Sequence, residues 1–173
     1  MTTHMLAEIA EQPATLRATI NALLPATTAA ERLARDTRHV LFIGRGTSDN
    51  AAVYGSYLLQ AFAGRLATLA SPSIATTYQA RVDLNGVLAV ALSQSGRTGE
   101  IVETPTWARD RGARAVAITN SASSPLAEAA ELALVTRAGR RNHRAGAPGP
   151  GRRGPQGGVR RLVLATARPV FPP

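Results

Sequence analysis

Twice in this chain a short apolar run stops at small polar residues and a helix-forming stretch begins at once, a pattern that few folds accommodate. His39-Val-Leu-Phe-Ile-Gly44 is followed by Thr47–Ala63, where Ala51, Tyr54, Leu58, Leu59 and Phe62 recur at helical spacing. The run through Ala89-Val-Ala-Leu92 ends in Ser93-Gln-Ser-Gly-Arg-Thr98, and the next helix is predicted over Glu100–Arg111. Runs this short, with no polar residue at alternate positions, mark strands buried on both faces of a parallel sheet. The full set of predicted strands is His39–Gly44, Leu66–Ala70, Val87–Leu92, Ala113–Thr119 and Leu132–Val135. A helix capped by Ser73 and running to Arg81, and a short one over Ser124–Ala130, fill the remaining connections. Strand and helix alternate four times, which predicts an α/β fold: a doubly wound, five-stranded parallel sheet with helices on both faces. Upstream, Leu6, Ile9, Leu16, Ile20, Leu23 and Leu24 keep helical spacing around Pro13 and predict two short helices or one kinked one. Thr28–Arg35 adds another helical turn or two, and Pro105 is expected to kink the helix that contains it.

The charge is distributed unevenly. The chain has 173 residues and a formal net charge of +9, yet every acid lies between Glu8 and Glu131. Residues 1–136 are balanced, whereas the nine arginines from Arg137 to Arg168 have no acid among them. The division this predicts is a helical lead-in over 1–36, a neutral globular domain over 37–139, and an Arg/Gly/Pro-rich tail over 140–173 that cannot fill a core and is expected to be disordered. Arginine, glycine, proline and alanine share GC-rich codons, and lysine is absent throughout, so the tail also reads as a shifted frame in a GC-rich gene. The rival reading, an arginine–glycine segment for nucleic-acid phosphates, is poorly served by a tail with one aromatic, Phe171. Nucleic acid is therefore not the expected partner. Without cysteine there is no disulfide, thiolate metal site or thiol nucleophile. The apolar runs fall far short of the ~20 residues of a membrane span, and a cytoplasmic protein is the expectation.

Ligands of doubly wound sheets sit beyond the carboxyl ends of the strands, where the strand order reverses. Gly44–Asp49 and Ser93–Thr98 both fall at such ends. In the second, Ser93, Ser95 and Thr98 offer hydroxyls, Gln94 an amide, and Gly96 a tight turn leading into a helix N-terminus. Free amides and the positive end of the helix dipole suit a phosphate, with no metal or cofactor required. Gly44-Arg-Gly-Thr-Ser-Asp49 begins like a dinucleotide fingerprint, but Asp49 stands where glycine or alanine is needed, and no acid ends the second strand. Ser93 occupies the first glycine position of a hydrolase nucleophile elbow, which excludes that motif. His4, His39 and His143 lie near the terminus, at a strand start and in the tail. No catalytic set can be nominated from them.

Gly44-Arg-Gly-Thr-Ser48, Ser93-Gln-Ser-Gly-Arg-Thr98 and Thr119-Asn-Ser121, each after its own strand, together resemble the sugar isomerase (SIS) domain. The lead-in Met5-Leu-Ala-Glu-Ile-Ala-Glu-Gln-Pro13 resembles that of the isomerase half of glutamine–fructose-6-phosphate aminotransferases and related amino-sugar-phosphate isomerases. The resemblance implies a flavodoxin-like fold and a hexose or hexosamine 6-phosphate as ligand. It places the phosphate on Ser93, Gln94, Ser95 and Thr98, and the sugar near Gly46, Thr47 and Ser48. It implies a homodimer, since relatives dimerise. Arg45 replaces a small residue or cysteine, Arg97 a glutamate, and either would add charge to the site or point into water. Relatives carry a second such domain supplying a lysine, a glutamate and a histidine for ring opening and proton transfer, none of which is matched here.

The expectation is thus a phosphosugar-binding domain rather than a complete isomerase. The alternatives are a phosphosugar-sensing regulatory domain and a nonfunctional truncated product. Sensors of this kind usually carry an N-terminal DNA-binding helical domain, and Met1–Arg38 is too short and lacks a basic recognition helix.

Overall fold

A computed structural model describes residues 4–138, with side chains described from residue 9 onward. Five strands, β1 (His39–Ile43), β2 (Leu66–Leu69), β3 (Val87–Ser93), β4 (Arg114–Thr119) and β5 (Leu132–Val135), form one parallel sheet in the order β2-β1-β3-β4-β5. The expected doubly wound, flavodoxin-like α/β sheet is what forms. From β1 the chain moves outward to β2 and then crosses back past β1 to β3, so the order reverses between β1 and β3. Right-handed crossovers then put the helix after β1 on one face of the sheet and the helices after β2, β3 and β4 on the other.

The helices are α1 (His4–Leu23), α2 (Thr27–Ala34) after a 3-10 turn at Leu24–Ala26, α3 (Thr47–Ala63), α4 (Pro72–Thr76), α5 (Gly99–Arg109) and α6 (Pro125–Ala129). Strand alternation divides the sheet into a bulky face and a small-residue face. Phe42, Leu88, Val90, Leu92, Val116 and Ile118 pack with Ala52, Leu58 and Leu59 of α3. Since α3 covers β2, β1 and β3, the β5 side is covered by the lead-in, with Leu23 buried in the same cluster. Thr19 Oγ1 also accepts from the Arg137 amide at 2.9 Å, tying α1 to the segment after β5. On the other face Ala89, Ala91 and Ala117 let α5 approach closely with Ile101, Trp107 and Ala108.

Of the two alternatives for the lead-in, the single helix through Pro13 is the one that forms, because docking on the sheet outweighs one lost backbone bond. Helix α5 is one element with Pro105 inside it, fully buried. One local expectation needs correcting. The helix expected over Ser73–Arg81 is only Pro72–Thr76, with Ser71 at the N-cap position. The amides of Thr77 and Tyr78 both fold back on the Ser73 carbonyl, and Gln79 takes φ 47°. The Ala80 carbonyl is then taken by Trp107 Nε1 and Arg111 Nε, at 3.2 and 2.8 Å. Those tertiary bonds hold Ala80 against the end of α5 and the turn after it.

Candidate functional site

The reversal point between β1 and β3 leaves a crevice bounded by two loops at the carboxyl ends of neighbouring strands, with Ile43 paired to Ala91 in the ladder. The first is Gly44–Gly46, leading straight into α3 at Thr47. Gly46 has φ 60° and ψ −126°, a region that L side chains avoid. A Cβ on Gly44 would stand 3.0 Å from the Ser48 carbonyl oxygen. Both glycines are therefore needed for the turn. The Ser48 and Asp49 amides donate back to Arg45 and Gly46 carbonyls, while Thr47 is exposed and Ser48 half-buried at the loop surface.

The second loop, Gln94–Thr98, joins β3 to α5. Ser93 is the last residue of β3 and only 7% exposed, and its Oγ accepts from the Gly96 amide at 3.2 Å. Its hydroxyl oxygen thus shapes the loop, a role not read from the sequence. Gln94, Ser95 and Thr98 are exposed. Thr98 is the N-cap residue of α5, with its carbonyl accepting from Ile101 and Val102 amides, but its side chain makes no capping bond. That hydroxyl remains available, as do the amides of Gly99 and Glu100, which have no acceptor inside the helix. The donors gather where the dipole of an 11-residue helix is positive.

The loop is held in place by residues of the β4–α6 connection. The Gln94 carbonyl accepts from the Asn120 amide at 3.0 Å and from Thr119 Oγ1 at 3.4 Å. The Gly96 carbonyl accepts from the Leu126 amide. Buried Ser124 donates to the Ser121 carbonyl at 2.8 Å and caps α6 by accepting from the Ala127 amide. Asn120 Nδ2 donates to the Ala138 carbonyl, and Thr136 Oγ1 bonds to Asn120 Oδ1, so the chain after β5 also arrives beside this loop. Sequence reasoning singled out Thr119–Ser121 as a motif without assigning this scaffolding work. The available signal was the cluster of small hydroxyl residues just past a strand end.

Across the crevice, Arg45 Nη1 and Glu100 Oε2 form an ion pair at 2.8 Å, linking the first loop to the first turn of α5. His39 sits at the amino end of β1, bonded to Thr68 Oγ1, so the full length of the strand separates it from the loops. An open depression lined by Arg81, Val82, Asp83, Asp110 and Arg111 lies near the amino ends of β3 and β4, the opposite end of the sheet. No helix among the described residues is long and apolar enough to cross a membrane.

The SIS domain profile matches residues 33–148. The chain belongs to the SIS domain family. It is 38% identical over 137 residues to the isomerizing glutamine–fructose-6-phosphate aminotransferase of Aeropyrum pernix, covering 78% of this chain and 22% of that protein. The chain thus spans about a fifth of the length of the curated relatives it matches. Among solved structures, the C-terminal domain of glucosamine-fructose-6-phosphate aminotransferase from Francisella tularensis superposes with a TM-score of 0.76 at 26% identity, covering 96% of this chain and 46% of that one. Glucosamine-6-phosphate deaminase from Thermotoga maritima superposes with a TM-score of 0.63 at 26% identity, covering 81% and 42%. One SIS unit is therefore present here.

Proposed function

We propose that this SIS domain binds a hexose or hexosamine 6-phosphate in the crevice between β1 and β3. The observation that carries the reading is the convergence of two glycine-containing, hydroxyl-rich loops at the point where the strand order reverses. Gln94, Ser95 and Thr98, with the first amides of α5, hold the phosphate. Ser93 holds the Gly96 turn from beneath and completes the phosphate loop. Gly46, Thr47 and Ser48 meet the sugar. Among the described residues of the crevice the hydrogen-bonded titratable pair is Arg45–Glu100, and His39 is remote. The proposed activity is therefore binding, with turnover left to a second domain of the kind its relatives' greater length accommodates. The proposed division is a lead-in over 1–36, the binding domain over 37–139 and a separate tail over 140–173. The tail, with its expected disorder, lies outside the described residues. A charged sugar ester does not cross membranes unaided, which supports a cytoplasmic site of action.

Isothermal titration with fructose 6-phosphate, glucosamine 6-phosphate and the corresponding unphosphorylated sugars tests this reading. Binding that depends on the phosphate is expected. Ser95→Ala with Thr98→Ala should weaken it by about 100-fold, because two hydrogen bonds to a charged group are lost at about 1.5 kcal/mol each. An equal response to plain and phosphorylated sugars would refute it.

A homodimer is also proposed. Tyr57 of α3 is 69% exposed and Leu66 of the edge strand β2 57% exposed, with Leu69, Ile74 and Tyr78 exposed on β2 and just beyond it. Apolar side chains concentrated along an unprotected strand edge favour burial against a second copy. Light scattering at micromolar concentration should give twice the chain mass, and Leu66→Glu should halve it with the helical circular dichroism retained. A monomeric wild-type protein at 100-fold higher concentration would end this part of the reading.

A further inference from the structure

Arg45 stands between Gly44 and Gly46 at the carboxyl end of β1, and its guanidinium crosses the crevice to a residue 55 positions later. Glu100, which receives it at 2.8 Å, belongs to the first turn of α5, whose amides lack helical acceptors. The guanidinium is therefore parked within a glutamate side chain's length of the proposed phosphate position. Both groups are exposed, 61% for Arg45 and 46% for Glu100, and an ion pair so open to water adds little to stability. Its placement has a chemical consequence instead. A guanidinium carries five N–H donors in a planar fork, and the glutamate engages only Nη1. The remaining donors make no hydrogen bond among the described residues, and 61% of the side chain is open to solvent. Glu100 alone would repel an anion approaching the helix terminus, and Arg45 cancels that repulsion while bringing the fork that matches a phosphate bidentately.

We propose that Arg45 is a phosphate-binding, charge-discriminating residue of this crevice, its charge paired with Glu100 and its free donors available to the ester. This rests on the reading of the two loops as a sugar-phosphate site. It converts a set of uncharged donors, which would accept any tetrahedral anion, into one that favours the dianionic ester over a monoanionic one of the same shape.

The test compares fructose 6-phosphate with fructose 6-sulfate and fructose, by calorimetric titration of the full chain at 20 and 200 mM NaCl. The wild-type protein should bind the phosphate ester at least several-fold tighter than the sulfate ester and weaken as salt rises. Arg45→Gln should lose about 10-fold in affinity for the phosphate ester, most of the phosphate-over-sulfate preference and most of the salt dependence. Glu100→Gln, which frees the whole fork and removes a carboxylate, should bind the phosphate ester as tightly as wild type or tighter. Thermal melts of both variants should stay close to wild type, as an exposed pair requires. Arg45→Gln binding within twofold of wild type, or Glu100→Gln losing affinity as severely as Arg45→Gln, would overturn the proposal. The latter result would mean that the pair fixes loop geometry. A wild-type protein that prefers phosphorylated over plain sugar but shows either result rejects only the role of Arg45. One with no preference for the phosphorylated sugar rejects the site itself, and Arg45 with it.

Discussion

Gly96→Ala is expected to destabilise the domain by about 2–5 kcal/mol and to abolish sugar-phosphate binding. The glycine has φ +62°, and a Cβ there would stand 2.5 Å from Ser124 Cβ and 2.9 Å from Thr119 Oγ1, and closer still to Ser124 Oγ. The left-handed conformation costs an L residue about 1–2 kcal/mol, and overfilling a packed site adds about 1–3 kcal/mol. Neither obstacle is flexible. Ser124 is fully buried and caps α6, and Thr119 is part of the central ladder. The loop itself must therefore give way, carrying Ser95 and Thr98 with it. Urea denaturation of Gly96→Ala, alone and combined with Ser124→Gly, separates the two contributions. The second change removes the two colliding Ser124 atoms and should restore part of the loss, leaving the backbone component and the 2.9 Å approach to Thr119 Oγ1. A single variant within 1 kcal/mol of wild type would show the turn to be far more pliable than its contacts imply.

Phe42→Ala is expected to cost about 3–5 kcal/mol, the usual penalty for emptying a buried aromatic site. Phe42 is 2% exposed on β1 and lies under α3, where its Cζ would be 2.9 Å from a Cβ on Gly55. The phenyl ring and the missing side chain of Gly55 are complementary, and helix and sheet meet at that point. Gly55→Ala should therefore destabilise by about 1–3 kcal/mol in the native background and by much less when Phe42 is already alanine. A coupling of 0.5–3 kcal/mol is typical of residues in contact. Against a total stability of about 5–15 kcal/mol, the Phe42 loss alone is a large fraction. It should also weaken ligand binding, because α3 carries Thr47 and Ser48 at its start and this contact seats the helix. Additive effects of the two substitutions would contradict that account.

The helix over Thr47–Ala63 was legible residue for residue, and strands β1, β3, β4 and β5 to within a residue at either end. These segments share a feature that reads locally, an unbroken apolar run or a clear helical period bounded by glycine or hydroxyl residues. Helix α4 was not legible. Ile74, Ala75 and Tyr78 continue a helical period, but the Thr77 and Tyr78 amides close on the Ser73 carbonyl, Gln79 turns to φ 47°, and Trp107 and Arg111, far along the chain, hold the Ala80 carbonyl beyond that turn. Pro13 left two short helices or one kinked helix open, and docking against the sheet selects one helix. At the site, the loop residues themselves could be read, whereas the inward turn of Ser93, the props supplied by Thr119, Asn120 and Ser124, and the Arg45–Glu100 bridge could not.

Local composition alone decided that this chain alternates strand and helix, that its sheet is parallel and buried, and that two polar loops follow strands β1 and β3. Those properties depend on neighbours within a turn or a strand, where apolar spacing and turn chemistry act directly. Only the tertiary structure decided which hydroxyls face solvent and which lock the backbone, where α4 stops, and that an arginine reaches a glutamate 55 residues away. Such outcomes arise from competition between groups remote in sequence for the same hydrogen-bond partners and the same space, and a linear pattern carries no record of that competition.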